Sequence, residues 1–199
     1  MGAVKALVEV DGLPMARQVA DALVAGGADG VGLVGGDAEI GARLGLVPMA
    51  DRWPGLGPLG GLATAALDAG SAFPDGEGDV IVVVAACDQP GLSADAIARL
   101  VDALAAAGPE VVAAVPVGSD GRRHPFPSAW WARAGPALGR LVDGGARRAD
   151  AAFDVGPVVD VATDEAELVD LDTPADVARW GDRSGSGGHR LPRSDGSDP

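Results

Sequence analysis

Four groups of residues in this chain have the types and spacing to do chemistry. Asp88 directly follows Val80–Cys87, the longest apolar run, and precedes Gln89 and Pro90. A carboxylate there falls on the C-terminal lip of a strand, where a hard oxygen ligand can hold Mg²⁺ against nucleotide phosphates. A solvated or helix-capping aspartate fits the same position. Asp51 follows the apolar stretch Leu46–Ala50 and opens Arg52-Trp53-Pro54-Gly55-Leu56-Gly57-Pro58-Leu59-Gly60-Gly61. Its four glycines and two prolines let backbone N–H groups approach a ligand closely. The loop is neither GxGxxG nor a Walker loop, and standing alone it reads as an ordinary tight turn. Asp170 and Asp172 bracket one residue ahead of Thr173-Pro174. On a strand they share a face, so one of them could complete a cation site; capping by Asp172 with Asp170 solvated is the alternative. Arg122-Arg123-His124 and Arg147-Arg148 are the local basic clusters, of the kind an anionic second substrate requires. A solvated turn and a helix end are the plainer reading.

The other chemistry-bearing types carry less. His124 has no second histidine nearby, since His189 stands near the C-terminus, so a histidine metal site is not expected. Cys87 is the one cysteine, which excludes a disulfide framework and reads as a small buried apolar residue. Trp130 and Trp131 read as core or pocket wall.

The elements that must position these residues alternate. Helices are expected at Met15–Ala25, ended by Gly26–Gly27, and at Ala38–Leu44, Pro58–Leu67, Ala94–Ala107 with Ser93 as N-cap, Trp131–Val142 and near Arg147–Phe153. A last helix has Pro174 at its first position behind Asp172 or Thr173. Strands are expected at Gly30–Val34, Leu46–Ala50, Glu110–Pro116, Val158–Val161 and Leu168–Leu171. Asp79–Ala86 is so β-branched and apolar that it reads as a strand buried on both faces of a parallel sheet. This order predicts an α/β fold: a three-layer, doubly wound, mostly parallel sheet with ligands beyond the C-terminal strand ends. Residues 1–180 form one domain; 181–199, rich in Ser, Gly, Pro and Asp, is expected to be a disordered tail.

Composition agrees. At 199 residues and 47% hydrophobic, the chain buries enough surface to fold without staples. The net charge of −14 repels a nucleic-acid backbone, so no nucleic-acid partner is expected, and an anionic ligand needs a locally built site. No charged-then-apolar signal pattern opens the chain and no apolar run can span a bilayer; a cytoplasmic protein without membrane contact is expected. A single lysine, Lys5, stands against 14 arginines, and Tyr and Asn are absent, a bias of GC-rich coding.

The pieces in this order resemble the molybdenum cofactor guanylyltransferase family of nucleotidyltransferases. The matching segments are Met1-Gly2-Ala3-Val4-Lys5-Ala6-Leu7, Asp51 with the glycine-proline loop to Leu62, Cys87-Asp88-Gln89-Pro90, Gly121-Arg122-Arg123-His124-Pro125, Gly145-Ala146-Arg147-Arg148 and Asp170-Leu171-Asp172-Thr173-Pro174-Ala175-Asp176. The resemblance implies a Rossmann-like nucleotidyltransferase fold and Mg²⁺-dependent transfer of GMP from GTP onto molybdopterin-bound molybdenum cofactor, with release of pyrophosphate. By position, Lys5 contacts the phosphates, Asp88 binds Mg²⁺ with Asp172, and Gly35, Asp51, Gly57 and Pro58 line the nucleotide. Arg122, Arg123, His124, Arg147 and Arg148 face the second substrate. Molybdoenzyme assembly proteins are the implied partners. Asp170 and Asp172 stand where many members have Asn, and Val4 where a common Asp stands.

The family opens with an apolar strand and a glycine-rich LAGG-x-S-x-R loop ahead of the segment matching Met1–Lys5. Relative to it the chain reads as N-terminally truncated, through a misassigned start codon, the favoured explanation, or a short gene product; for the short product the expectation is a vacant central strand position with unpaired neighbours, poor stability and little activity. Two other functions are kept open: cytidylyl or sugar-phosphate nucleotidyl transfer on the same fold, and an inactive nucleotide-binding remnant.

Overall fold

The structure, a computed structural model, describes residues 5–72 and 80–186. After a 3-10 turn at Lys5–Leu7, β1 (Glu9–Val10) and β2 (Leu13–Pro14) form a small antiparallel ribbon. It leads into α1 (Met15–Ala25), β3 (Gly32–Val34), α2 (Ala38–Leu44), β4 (Val47–Met49), α3 (Pro58–Ala72) and β5 (Ile81–Val84). Then come α4 (Ala94–Ala106), β6 (Ala113–Val117), β7 (Ser128–Trp131), α5 (Gly135–Asp143), β8 (Val158–Ala162) and α6 (Pro174–Ser186).

Local chemistry explains the helix ends. Asp37 Oδ1 accepts from the Ile40 N–H at 2.8 Å and Ser93 Oγ from the Ala96 N–H at 3.1 Å, each satisfying a first-turn donor. At α6 the reciprocal box is Thr173 and Asp176: the Asp176 N–H donates to Thr173 Oγ1 at 3.2 Å, and Asp176 Oδ2 accepts from the Thr173 N–H at 2.8 Å. The helix runs past residue 180 to Ser186; the rest of the segment set apart as a tail, 187–199, lies outside the described residues, as do Met1–Val4 of the matching signature.

The main sheet has the order β5-β7-β6-β8, and β3 pairs in parallel with β4 beside it. β7 is antiparallel to β5 and β6, and β6 is parallel to β8, so β5, β6 and β8 run the same way. Neighbouring sheet residues face opposite layers. Ala113, Val115 and Trp130 pack with Leu59, Leu62 and Leu138 of α3 and α5; Ala114 and Ala129 pack with Leu100 and Leu104 of α4. On α4's side of the sheet, Val19 and Leu23 of α1 meet Ile97.

Three expectations are corrected. Trp131, expected to open a helix, instead ends the strand Ser128–Trp131, and a 3-10 turn at Ala132–Ala134 separates that strand from α5. It is covered on both faces, so its sequence shows no alternation to read. Leu168–Leu171 is not a strand: Glu165–Leu168 is a 3-10 turn, with Leu168 and Leu171 turned into the protein by a spacing of three. β5 is covered by helices on both faces, Val84 toward α3 and Val83 toward α4, yet each of its residues is only half-buried. It pairs with an antiparallel neighbour alone, and among the described residues no strand lies on its other edge.

Candidate active site

The site starts at the end of β5. The Asp88 carbonyl accepts from the Leu171 N–H at 2.9 Å, which pins the turn after β5 to the segment carrying Asp170 and Asp172. Lys5 opens the first 3-10 turn, whose Ala6 packs against Ala16, Leu44 and Cys87. This places Lys5 Nζ at 3.1 Å from Asp88 Oδ2 and 2.5 Å from Asp172 Oδ1. Three residues far apart in the sequence thus form one charged group, with Asp88 mostly buried (15% exposed) and Asp172 open (66%).

The electrostatics follow from this geometry. The hydrogen bond to Asp172 holds the Lys5 ammonium well above its ordinary range; partial burial opposes this, and Asp88 adds to it. Partial desolvation pushes the Asp170 carboxyl up, although the residue as a whole is exposed, and the charges of Asp88 and Asp172 push it further. A hydrogen bond from Gln89 and the charge of His124 pull it down. Burial, then the Asp88 charge, raises the Cys87 thiol, so the one cysteine is a poor thiolate. Asp88 and Asp172 are hard oxygen donors converging where a cation, the Lys5 ammonium, is already accommodated. No three His, Cys, Asp or Glu side chains converge on one metal position among the described residues. Two carboxylates with substrate phosphates and water are what Mg²⁺ ordinarily takes, so the residues present fit that ion.

Asp51 organises the glycine-proline loop. Its Oδ1 accepts from the Trp53 N–H at 2.9 Å and from Thr64 Oγ1 at 3.3 Å, while Thr64 Oγ1 accepts from the Arg52 N–H at 3.1 Å. Gly35, at φ +76° after β3, faces Asp51: a Cβ there stands 4.0 Å from Asp51 Oδ2. Both residues therefore sit beyond the paired ends of β3 and β4. Gly57 has φ +88°, and a Cβ added to it stands 2.9 Å from the Arg147 carbonyl oxygen, so the loop backbone lies directly on the Arg147 segment. Pro58 begins α3 immediately after it. Trp53 adds a second tie, its Nε1 donating to Asp143 Oδ1 of α5 at 2.9 Å. Sequence reasoning singled out neither Trp53 nor Thr64 as functional. Trp53 carried a signal as the aromatic of a Gly/Pro loop; Thr64 carried none, because its partner Asp51 lies 13 residues away.

The basic clusters have most of their hydrogen-bonding capacity already committed. Arg123 Nε donates to Asp160 Oδ1 at 2.7 Å, Arg147 Nη1 to the Val142 and Ala146 carbonyls at 2.8 and 2.7 Å, and Arg148 Nη2 to Asp150 Oδ2 at 2.5 Å. Arg122 is 82% exposed and reaches Asp120 only at 4.0 Å. Arg147 touches Gly57, so the second cluster adjoins the glycine-proline loop.

Comparison with known proteins matches residues 1–155 to the MobA-like NTP transferase domain. The chain belongs to this family of nucleotidyltransferases. No curated protein matches it by sequence. Among solved structures, this MobA-like chain is similar to molybdopterin-guanine dinucleotide biosynthesis protein A from Archaeoglobus fulgidus, at 19% identity and TM-score 0.71, covering 93% of this chain and 92% of that one. It is also similar to 2-C-methyl-D-erythritol 4-phosphate cytidylyltransferase from Thermus thermophilus, at 19% identity and TM-score 0.65, covering 91% and 94%. A third similar structure is the Mycobacterium tuberculosis H37Rv protein Rv0371C in complex with manganese, at 20% identity and TM-score 0.62, covering 89% and 91%. At these identities the likenesses establish the shared fold, the Rossmann-like nucleotidyltransferase arrangement. No described helix is long and apolar enough to cross a membrane.

Proposed function

We propose that this MobA-like protein is a cytoplasmic, Mg²⁺-dependent guanylyltransferase that moves GMP from GTP to molybdopterin-bound molybdenum cofactor and releases pyrophosphate, handing product to molybdoenzyme assembly proteins. The observation that carries the reading is the meeting of Lys5, Asp88 and Asp172 at the strand ends. In the reaction a phosphate oxygen of the acceptor forms a bond to the α-phosphorus of the nucleotide. The bond from that phosphorus to the bridging oxygen breaks, and pyrophosphate leaves with the electron pair. Charge grows on the phosphoryl and leaving oxygens, and fixed positive groups are what stabilise it. Asp88 and Asp172 would hold the magnesium ion, which when bound would neutralise and orient the phosphates. Lys5 supplies a second positive charge to the phosphates.

Gly35 and Asp51 flank the nucleoside, and the N–H groups around Gly57 and Pro58 approach the nucleotide closely. The acceptor lies toward Arg122, Arg123, His124, Arg147 and Arg148; Arg122 is the arginine of that set least held by other groups. The A. fulgidus structure supports guanylyl transfer to the molybdenum cofactor, while the T. thermophilus structure supports a cytidylyl donor on the same fold. Pyrophosphate release from GTP with Mg²⁺ and molybdopterin-loaded carrier tests the reaction, and the same assay with CTP tests the base. Asp88→Asn is expected to lower turnover at least about a hundredfold, the scale of losing one electrostatic group from such a site, with the fold intact by circular dichroism. Wild-type turnover by that variant removes Asp88 from the mechanism, and a preference for CTP moves the assignment to cytidylyl transfer.

A further inference from the structure

Lys5 stands where a metal ion and its two carboxylates have to meet. Its Nζ lies 3.1 Å from Asp88 Oδ2 and 2.5 Å from Asp172 Oδ1, so one ammonium bridges the pair and offsets part of its negative charge, with Asp170 adding a third acidic group close by. Lys5 is the single lysine of the chain. Arg17, Arg123 and Arg148 are tied instead to Asp21, Asp160 and Asp150. A bare divalent cation entering this site has to displace an ammonium that holds two charge-assisted hydrogen bonds. A cation arriving with a polyphosphate offers that ammonium a new anionic partner at the same moment.

We infer that Lys5 is an internal counter-ion occupying the metal position of the free protein, so that the site takes its divalent cation as the metal–nucleotide complex rather than as the bare ion. This rests on the metal reading of Asp88 and Asp172 and adds the order of binding. In the free state Lys5 suppresses repulsion between the carboxylates. On loading, the carboxylates exchange the ammonium for the metal, and Lys5 turns to the phosphates. The side chain is free to make that exchange: it is 37% exposed and projects from a three-residue turn held by Ala6.

The test is Mn²⁺ binding by calorimetry, without nucleotide and then with GTP or CTP, on the wild type, Lys5→Met and Lys5→Arg. The wild type is expected to bind bare Mn²⁺ weakly and to bind it at least about tenfold more tightly with nucleotide. Lys5→Met is expected to bind bare Mn²⁺ about tenfold more tightly than the wild type, equivalent to about 1.4 kcal/mol, and to lose most of the gain from nucleotide. Lys5→Arg keeps the charge and stays weak. Thermal midpoints in chelator establish that each variant is folded. Mn²⁺ binding by Lys5→Met that is no tighter than wild type, yet abolished by adding Asp88→Asn, overturns the counter-ion role and leaves the metal site standing. Mn²⁺ binding that survives Asp88→Asn in the Lys5→Met background overturns the metal site itself and the exchange with it.

Discussion

Gly57→Ala is the substitution through which the seating of the glycine-proline loop on the Arg147 segment is best examined. The residue combines two constraints: φ is +88°, and a Cβ stands 2.9 Å from the Arg147 carbonyl oxygen. Gly55, two residues earlier in the same loop, shares the backbone constraint at φ +76° but has nothing within 4 Å of its Cβ. Gly55→Ala therefore carries only the left-handed penalty, about 1–2 kcal/mol. Gly57→Ala carries that penalty plus a contact inside van der Waals distance with backbone, which cannot swing away as a side chain does; overpacking of this sort adds about 1–3 kcal/mol. The expected loss is about 2–5 kcal/mol for Gly57→Ala, and for a chain of this size each kcal/mol lowers the melting midpoint by roughly 2–4 °C. If the loop moves to relieve the contact, part of that loss appears as weaker nucleotide binding, because the loop then leaves the Arg147 segment. The assay is a thermal melt of both variants with and without nucleotide, backed by urea unfolding. Equal midpoints for the two variants together with unchanged nucleotide affinity refute the reasoning that the loop is seated on Arg147.

Two further outcomes are expected. Thr64→Val removes a fully buried hydroxyl that accepts from the Arg52 N–H and donates to Asp51; leaving that N–H unpaired costs about 1–3 kcal/mol, read by chemical denaturation, and loosens the loop enough to weaken nucleotide binding. Asp170→Asn is expected to be stabilising at neutral pH. Partial desolvation of its carboxyl and the neighbouring Asp88 raise Asp170 in the fold, though the residue as a whole is exposed, so its contribution is favourable below the ordinary carboxylate range and is lost as pH rises through the raised value. The melting midpoint of the variant then exceeds that of the wild type at neutral pH and converges with it in acid; a constant gap at every pH removes the titration argument.

Much of the architecture can be read residue by residue. Met15–Ala25 and Ala38–Leu44 are helices over the expected spans, Ser93 caps α4 as its position requires, and the apolar run before Asp88 is a strand whose end presents that carboxylate. These features rest on local signals: periodicity, capping residues and β-branched composition act within a few residues of chain. Ser128–Trp131 escapes them because a strand covered on both faces has no polar side to reveal its period. Asp170 and Asp172 come near Asp88 without a strand to carry them, since the tie is a backbone hydrogen bond from Leu171 to Asp88. What the sequence determines by itself is which residue types are available and the short elements that bear them. Only the tertiary structure decides that Lys5 meets carboxylates 83 and 167 positions away and that Gly57 rests on Arg147. Such contacts have no local energy to announce them; they exist because helices on both faces of the sheet must bury their apolar sides together, and the loop ends are carried along.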